Sequence, residues 1–417
     1  MKILFLSGPV FEDKRFVNPA FVRSGNLAVG GIAEGLHAVV GTDLTCWTSQ
    51  SMPSWPRYKQ LFIRYYKLCF PSGLVVRTMP ALNVIMVREF CRGFISFWIT
   101  LFWCLRNIGK ERCVVTYNFY TPPFGFPLLA ARLTHTPIVP IVFDIGLPLT
   151  DHGGLRNWIY ARAEKSIHKY CRKIRGACVI TKHIQETYLA DRHAMLLDGG
   201  LGPEILRRLF QLERSETESC RKETVFVLAG RLVHYNGIDL AIEAMKCNKN
   251  PDIRLVVAGN AASDSAISEM AKDSRIDYRG LLNLDELFAL YREADVIMNI
   301  RLTKEMDTRN WFPSKFIEAL ATGRLVLSTN MGHMKSVYSD YCTVLEDETP
   351  EGLSAKMDEL AAVSRAERDA KGARSRDFML AGHTWEQQMK RMLRYCHGVY
   401  TGEYVGRTGL VEVDEMI

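Results

Sequence analysis

The chain has 417 residues, 47% of them hydrophobic and 24% charged, with 53 Lys and Arg against 46 Asp and Glu. At roughly 150 residues per domain that length holds two or three cores, and the composition excludes a disordered chain, a small stapled module and a polytopic membrane protein. The net charge of +7 is unevenly spread: residues 1–210 carry 26 basic and 13 acidic side chains, and residues 211–417 carry 27 and 33. The first half therefore favours an anionic partner. Nucleic acid and an acidic membrane are the two candidates, and the absence of any nucleic-acid recognition motif turns the expectation to the membrane. Eleven cysteines are scattered from Cys46 to Cys396 with no CxxC pair, which reads as free thiols in a reducing compartment. The first apolar run, Ile3 to Leu6, is too short and too soon followed by charge for a signal peptide, so a cytoplasmic location is expected.

Short runs rich in β-branched residues alternate with helical patterns, the signature of parallel sheets covered by helices. In the first half, strands are expected at 2–7, 43–48, 113–117, 137–144 and 177–181. Between the first two, Ser24-Gly25 precedes a helix pattern and Gly30-Gly31 falls inside it. Between Asp43 and Glu89 no acidic residue occurs while six basic ones do, and from Trp55 to Phe70 these are interleaved with aromatics. Such a mixture suits a membrane interface, where rings sit at headgroup level and cations meet anionic lipid. A helical insertion with solvated charges is the other reading. The run from Phe94 to Leu105 follows, polar only at Ser96 and Thr100. At about 12 residues it falls short of the ~20 that span a bilayer, which leaves a buried helix or an interfacial anchor, and the buried helix is expected.

Gln211 to Glu223 has little periodicity and reads as a linker. The strand pattern then restarts at 224–230, 253–259, 276–278, 296–300 and 325–329. Thr384-Trp385-Glu386 opens a last helix, and no element is expected after Gly398. This places an N-terminal domain over 1–205, a linker over 206–223, a second domain over 224–383, and a closing helix and tail over 384–417. Two Rossmann-like α/β domains in tandem account for the pattern.

The most informative stretch is Asn310-Trp311-Phe312-Pro313-Ser314-Lys315-Phe316-Ile317-Glu318-Ala319-Leu320-Ala321-Thr322-Gly323. Pro313 suits a first helical position and Gly323 the position past the end, so a short helix is delimited from both sides. Its N-terminus offers unpaired N–H groups and the positive end of a dipole, to which Ser314 adds a hydroxyl and Lys315 a full charge. A diphosphate fits there. Glu318, one turn deeper on the same face, is placed to accept hydrogen bonds from the hydroxyls of a ribose. Taken alone, the stretch also reads as a capped helix with a surface Lys-Glu pair. Val225 to Ile238 adds a strand, then Gly230 and Arg231 at its C-terminal edge, and a helix after Gly237. Ligands of open α/β sheets bind at that edge, so Arg231 is placed to meet an anion. Leu255 to Asn260 repeats the strand-then-glycine pattern at Gly259.

Together these motifs resemble the retaining, two-Rossmann-domain glycosyltransferases of family 4, the glycosyltransferases group 1 of the GT-B fold, of surface-polysaccharide type. The likeness covers nearly the whole second half and includes Tyr278-Arg279-Gly280, Leu287 to Asp295 and the Pro-Ser-Lys-x-x-Glu-Ala-Leu-Ala-x-Gly segment. It implies two domains facing each other across a cleft, a nucleoside diphosphate sugar bound on the second, Arg231 and Lys315 on its diphosphate, Glu318 on its ribose, and a last helix crossing back to the first domain. Gly230, Asn236, Gly259, Asn310, Pro313 and Ser314 fall at donor-binding positions. Asn236 stands where the family often has lysine, and Asn310 where its Glu-x7-Glu motif has the first glutamate. Across the cleft, Asp144 matches the second residue of a His-Asp pair whose histidine is here Phe143, and Asp151 and His152 follow on the acceptor side.

The function implied is transfer of a hexose, with its anomeric configuration kept, from a nucleoside diphosphate sugar to a hydroxyl of a lipid-linked or polysaccharide acceptor. The catalytic set is Asp144, Arg231, Lys315 and Glu318. No metal or other cofactor is expected, because no DxD pair stands beside the donor motifs and cationic side chains can neutralise the phosphates. Peripheral attachment to an anionic membrane is expected from the charge. Two rivals remain: a non-catalytic glycosyltransferase-like protein that binds a partner enzyme or glycan, suggested by Asn236, Asn310 and Phe143, and a nicotinamide-dependent oxidoreductase, weakened by Ser7-Gly8-Pro9 standing where GxGxxG belongs.

Overall fold

The computed structural model describes residues 1–8, 23–50, 52–120, 122–143, 145, 162, 165–212, 221–261, 264–305 and 307–413. It divides into two compact units, one formed by Met1–Gly200 with Trp385–Ile417 and the other by Leu201–Thr384. The helix Pro203–Leu209, which the sequence reading splits between the first domain and the linker, lies in the second unit. There Arg208 Nε donates to Asp285 at 2.7 Å, a fixed contact that linker-like composition does not reveal.

The first unit is built on a nine-stranded sheet. Its strands, in chain order, are β1 (Lys2–Ser7), β2 (Leu44–Thr48), β4 (Lys67–Cys69), β5 (Val75–Thr78), β7 (Arg112–Tyr117), β8 (Ile138–Val142), β9 (Gly176–Val179), β10 (His193–Leu196) and β17 (Gly409–Leu410). Their spatial order is β17-β10-β9-β8-β7-β1-β2-β5-β4, parallel throughout except for the β4/β5 pair. The central strands are buried along their length, as strands covered on both faces must be. The last helix, Trp385–Thr401, belongs to this unit. Trp385 is 6% exposed, and added Cβ atoms at Gly31, Gly35 and Gly200 would each collide with it. Gly31 thus lies inside the helix Arg23–Val40, where its missing side chain admits an indole ring.

Three features of this unit depart from the sequence reading. The basic and aromatic segment is neither helix nor plain loop: β4 pairs antiparallel with β5, and β3 (Phe62–Ile63) with β6 (Ala81–Leu82). Strands of two or three residues leave no periodicity to read. The apolar run lies in a longer helix, Val87–Arg106, with its polarity reversed. Arg92, Gly93, Ser96, Thr100 and Cys104 are buried, whereas Phe90, Phe94, Trp98, Phe102 and Leu105 are exposed. A run apolar on nearly every face does not announce which face packs inward. The tail, where no element is expected, supplies β17, which pairs parallel with β10 at the edge of the sheet. Among the described residues no helix is long and apolar enough to cross a membrane.

The second unit holds six parallel strands: β11 (Thr224–Leu232), β12 (Ile253–Ala261), β13 (Ile276–Tyr278), β14 (Val296–Asn299), β15 (Leu325–Thr329) and β16 (Thr343–Leu345). Their order, β13-β12-β11-β14-β15-β16, reverses between β11 and β14. At that reversal the helices following the two strands leave toward opposite faces and a crevice opens at the strands' C-terminal ends. The core beneath is a continuous cluster that includes Phe226, Leu228, Leu255, Val296, Met298 and Leu327.

Candidate functional site

A pocket of about 160 Å³ occupies the crevice at the reversal. Its walls are the C-terminal ends of β11, from Leu228 to Leu232, and of β14, continuing to Arg301, with Asn236, Tyr291, Lys315 and Ala319 closing it. Each wall follows from local sequence. The β-branched run of β11 ends in Ala229-Gly230-Arg231, and Gly230 pairs in register with Gly259 of β12. Both have positive φ, 149° and 144°, and a Cβ on Gly259 would overlap the Gly230 carbonyl. Two glycines side by side let the strand ends lie close and leave their backbone open to a ligand.

The helix Ser314–Ala321 points its N-terminus at this crevice with Lys315. No side chain caps it, so the N–H groups of Ser314 and Lys315 have no capping partner. Pro313 precedes the helix in extended conformation, φ −78° and ψ 121°, and is the N-cap rather than the expected first helical residue. Its carbonyl accepts from Phe316 N–H at 2.9 Å. Behind the helix, Phe312 stacks on His333 at 4.5 Å between centroids, and Phe316 meets the buried Tyr338 edge-on at 5.3 Å. These rings hold the turn that aims Lys315. At the other end Gly323, φ 75°, stands past the last helical residue.

Lys315 reaches over β11 so far that a Cβ on Gly230 would lie 2.9 Å from its Nζ. Burial lowers its pKa, with Glu318 opposing the shift and Arg301 adding to it. Arg301 follows β14, its backbone N–H bound to Thr329 Oγ1 at 2.9 Å, and burial lowers its pKa as well. Among the described residues no carboxylate forms a salt bridge with Arg231, Arg301 or Lys315. Three cations thus border one small pocket, a charge excess that an anionic ligand would neutralise. Arg301 escapes the sequence reading, although the reasoning applied to Arg231 at the end of β11 also applies to it at the end of β14.

Glu318 lies one turn behind Lys315 and does not itself line the pocket. Its carboxyl is pushed up to about 7 by burial, with Lys315 pulling the other way. It also helps to raise the pKa of the buried Tyr291 phenol, an effect due first to burial. Asn236 donates from Nδ2 to the Arg231 carbonyl at 2.6 Å, while its Oδ1 is buried and without a partner. Asn310 Oδ1 is likewise buried and unpartnered, beside the turn that leads into Pro313. A buried amide oxygen without a donor costs stability unless something else supplies one, which makes both positions apt for a ligand hydroxyl or N–H.

Of the residues singled out from sequence, Gly230, Arg231, Asn236 and Lys315 meet at the pocket. Gly259 lies in the backbone layer next to it. Asn310, Pro313, Ser314 and Glu318 belong to the segment that carries Lys315 and do not themselves line the pocket. Asp144, Asp151 and His152 lie outside the described residues. No group of three or more His, Cys, Asp or Glu side chains converges in the manner of a metal site among the described residues.

A six-stranded sheet with its pocket at the strand reversal, joined in one chain to a second parallel sheet, defines the GT-B fold. Residues 210–376 match the family Glycosyl transferases group 1. A glycosyltransferase from Rickettsia africae covers 95% of this chain and 98% of its own, at 15% identity and a TM-score of 0.62. Sucrose-phosphate synthase from Thermosynechococcus elongatus covers 96% and 100%, at 14% identity and 0.62. Anabaena HepE, solved in complex with UDP and glucose, covers 94% and 99%, at 12% identity and 0.57. In sequence, the chain is 24% identical over 143 residues to a phosphatidylinositol N-acetylglucosaminyltransferase component of Arabidopsis thaliana. That match spans 33% of this chain and 31% of the Arabidopsis protein.

Proposed function

We propose that the protein is a retaining glycosyltransferase of family 4 that moves a hexose from a nucleoside diphosphate sugar to a hydroxyl of a lipid-linked or polysaccharide acceptor in surface glycan synthesis. The observation that carries the reading is the meeting of Arg231, Arg301 and Lys315 at the strand reversal, beside an uncapped helix N-terminus. The relatives named above support it through what they bind or make.

In this reading the diphosphate lies against Arg231, Lys315 and the helix N-terminus, with Arg301 as a third cation, and Glu318 accepts from the ribose. The bond from the sugar's anomeric carbon to the diphosphate breaks, and the diphosphate leaves with the electron pair. The acceptor oxygen bonds to the same face of that carbon, and its proton passes to the departing phosphate. The charge grows on the leaving group, so the pre-arranged cations are the largest source of rate acceleration. They also supply the neutralisation that a divalent ion provides elsewhere. Asn310 and Asn236 offer hydrogen bonds to the sugar and phosphates, and Asp144, Asp151 and His152 are the proposed acceptor side. The enzyme acts in the cytoplasm, peripheral on an anionic membrane where a lipid-linked acceptor resides.

The test is incubation with UDP-, GDP- and ADP-sugars and a lipid extract, in the presence of a chelator. One donor is expected to yield a glycosylated lipid whose anomeric configuration, read from proton coupling constants, matches that of the donor. An inverted product would overturn retention, and absence of transfer from every donor would remove the enzymatic reading.

A further inference from the structure

The helix Val87–Arg106 is inside out for a helix in water. Its buried side is narrow and polar: Ser96 donates to the Gly93 carbonyl at 2.7 Å, Arg92 donates to the Gln50 carbonyl, and Gly93 makes room for Phe126. Its outer side is a stripe of rings in mutual contact. Phe90 stacks on Phe94 at 6.4 Å, Phe94 meets Trp98 edge-on at 6.1 Å, and Trp98 stacks on Phe102 at 5.4 Å. Phe90 and Phe102 are 62% and 63% exposed.

The stripe continues beyond the helix in two directions. Ahead of it Ile85 and Met86 are 70% and 74% exposed, and the backbone of Val84 pairs with that of the exposed Trp55. Beside it runs the helix Gly125–Leu133, which lies parallel because Phe126 packs on Phe90 at one end and Arg112 binds the carbonyls of Asn107 and Thr134 at the other. That helix adds the exposed Leu129 and Leu133. Scattered exposed apolar residues are ordinary, whereas a contiguous sheet of them marks a surface that meets something apolar.

Charge identifies the occupant. Residues 44–143 carry eleven Lys and Arg against two carboxylates, Glu89 and Glu111, and these are spent on Arg88, Arg92 and His397. Tyr170, packed on Phe124 at the start of the second helix, stands in a segment whose Lys165, Lys169, Arg172 and Lys173 are exposed. Arg106, Lys110 and Arg132 stand exposed toward the far end. Aromatic rings framed by cations match a bilayer interface with anionic headgroups, whereas a second copy of the same face would bring like charges together.

We propose that the outer face of Val87–Arg106, with Leu129 and Leu133, is the surface by which this protein lies on an anionic membrane. This deepens the peripheral attachment proposed above and rests on it. The face is carried by side chains outside the donor pocket, so docking and donor binding are separable.

The experiment is co-flotation with vesicles of phosphatidylcholine alone and of an equimolar mixture with phosphatidylglycerol. Wild-type protein is expected to float with the mixed vesicles and to be released by salt. The double variant Phe94→Glu, Trp98→Glu should lose more than about tenfold in partitioning while keeping its melting temperature and nucleotide response. The milder Lys169→Glu, Lys173→Glu pair should bind less to the mixed vesicles only. Flotation of the aromatic variant at wild-type level would overturn this face and leave attachment elsewhere standing. Failure of the wild type to float would overturn both. A wild-type dimer in sedimentation without lipid, abolished in the aromatic variant, would assign the face to a second copy instead.

Discussion

Replacing Lys315 with alanine should lower kcat by about 10²- to 10³-fold while leaving the melting temperature nearly unchanged, the scale found when one pre-arranged group is removed from a developing anion. The side chain spans the end of β11 above Gly230 and makes no salt bridge among the described residues, so the fold loses little with it. Its removal also relieves the crowding of positive charge that Arg301 imposes, which works toward stability. The checks are single-turnover kinetics with the cognate donor beside a thermal melt. A drop in activity with the melt preserved separates a role in catalysis from one in folding. Activity within a few-fold of wild type would show that the helix N-terminus and the two arginines carry the diphosphate without it.

Glu318 should make donor binding depend on pH through the neutral range. Its carboxyl titrates at about 7 because burial disfavours the charged form more than Lys315 restores it. Only the ionised form accepts two hydrogen bonds from a ribose. If that form alone is competent, apparent affinity weakens about tenfold between pH 8 and pH 6, in proportion to the ionised fraction. Because nucleotide phosphates titrate too, the comparison is with Glu318→Gln, whose profile should lack this component. The linked effect on the empty protein has the opposite sense. The folded pKa lies above the ordinary value of 4.5, so the stability tied to the protonated group is fully present below about 4.5 and is lost as pH rises through about 7. A bound ribose offsets that loss by supplying hydrogen bonds to the carboxylate. Calorimetric titrations of the two proteins from pH 6 to 8 settle it, and parallel profiles would remove Glu318 from the ribose.

The second unit is the more legible part of the sequence, for a physical reason. Its central strands are buried on both faces and are rich in apolar residues, and β13 and β15 have the bounds that the sequence pattern gives them. Ligand sites on such sheets lie at strand ends, which is why Arg231 and Lys315 are found by position. Arg301 follows directly on the expected strand 296–300, but no glycine there marks a ligand's approach as Gly230 does before Arg231. The one-residue shift of Pro313 reflects the freedom of helix ends. In the first unit the information runs out where pairing is carried by backbone, as in β3, β4, β6 and β17, and where a helix is apolar almost all round. Val87–Arg106 illustrates the second case: hydrophobic periodicity locates a core-facing stripe only if the other face is polar. Here the small and hydroxylated positions face in, because the close approach of Phe126 at Gly93 and the bond from Trp103 Nε1 to Thr45 require small or polar neighbours.

The central claim is that the pocket between β11 and β14 holds a nucleoside diphosphate. The most direct measurement is the melting temperature of the purified chain with UDP, GDP and ADP and with their sugar conjugates, run beside Glu318→Ala. A rise with one nucleotide, absent in the variant, is the predicted result, and it would also name the base. An equal rise in the variant would remove Glu318 from the donor site, and no rise with any of them would contradict the claim.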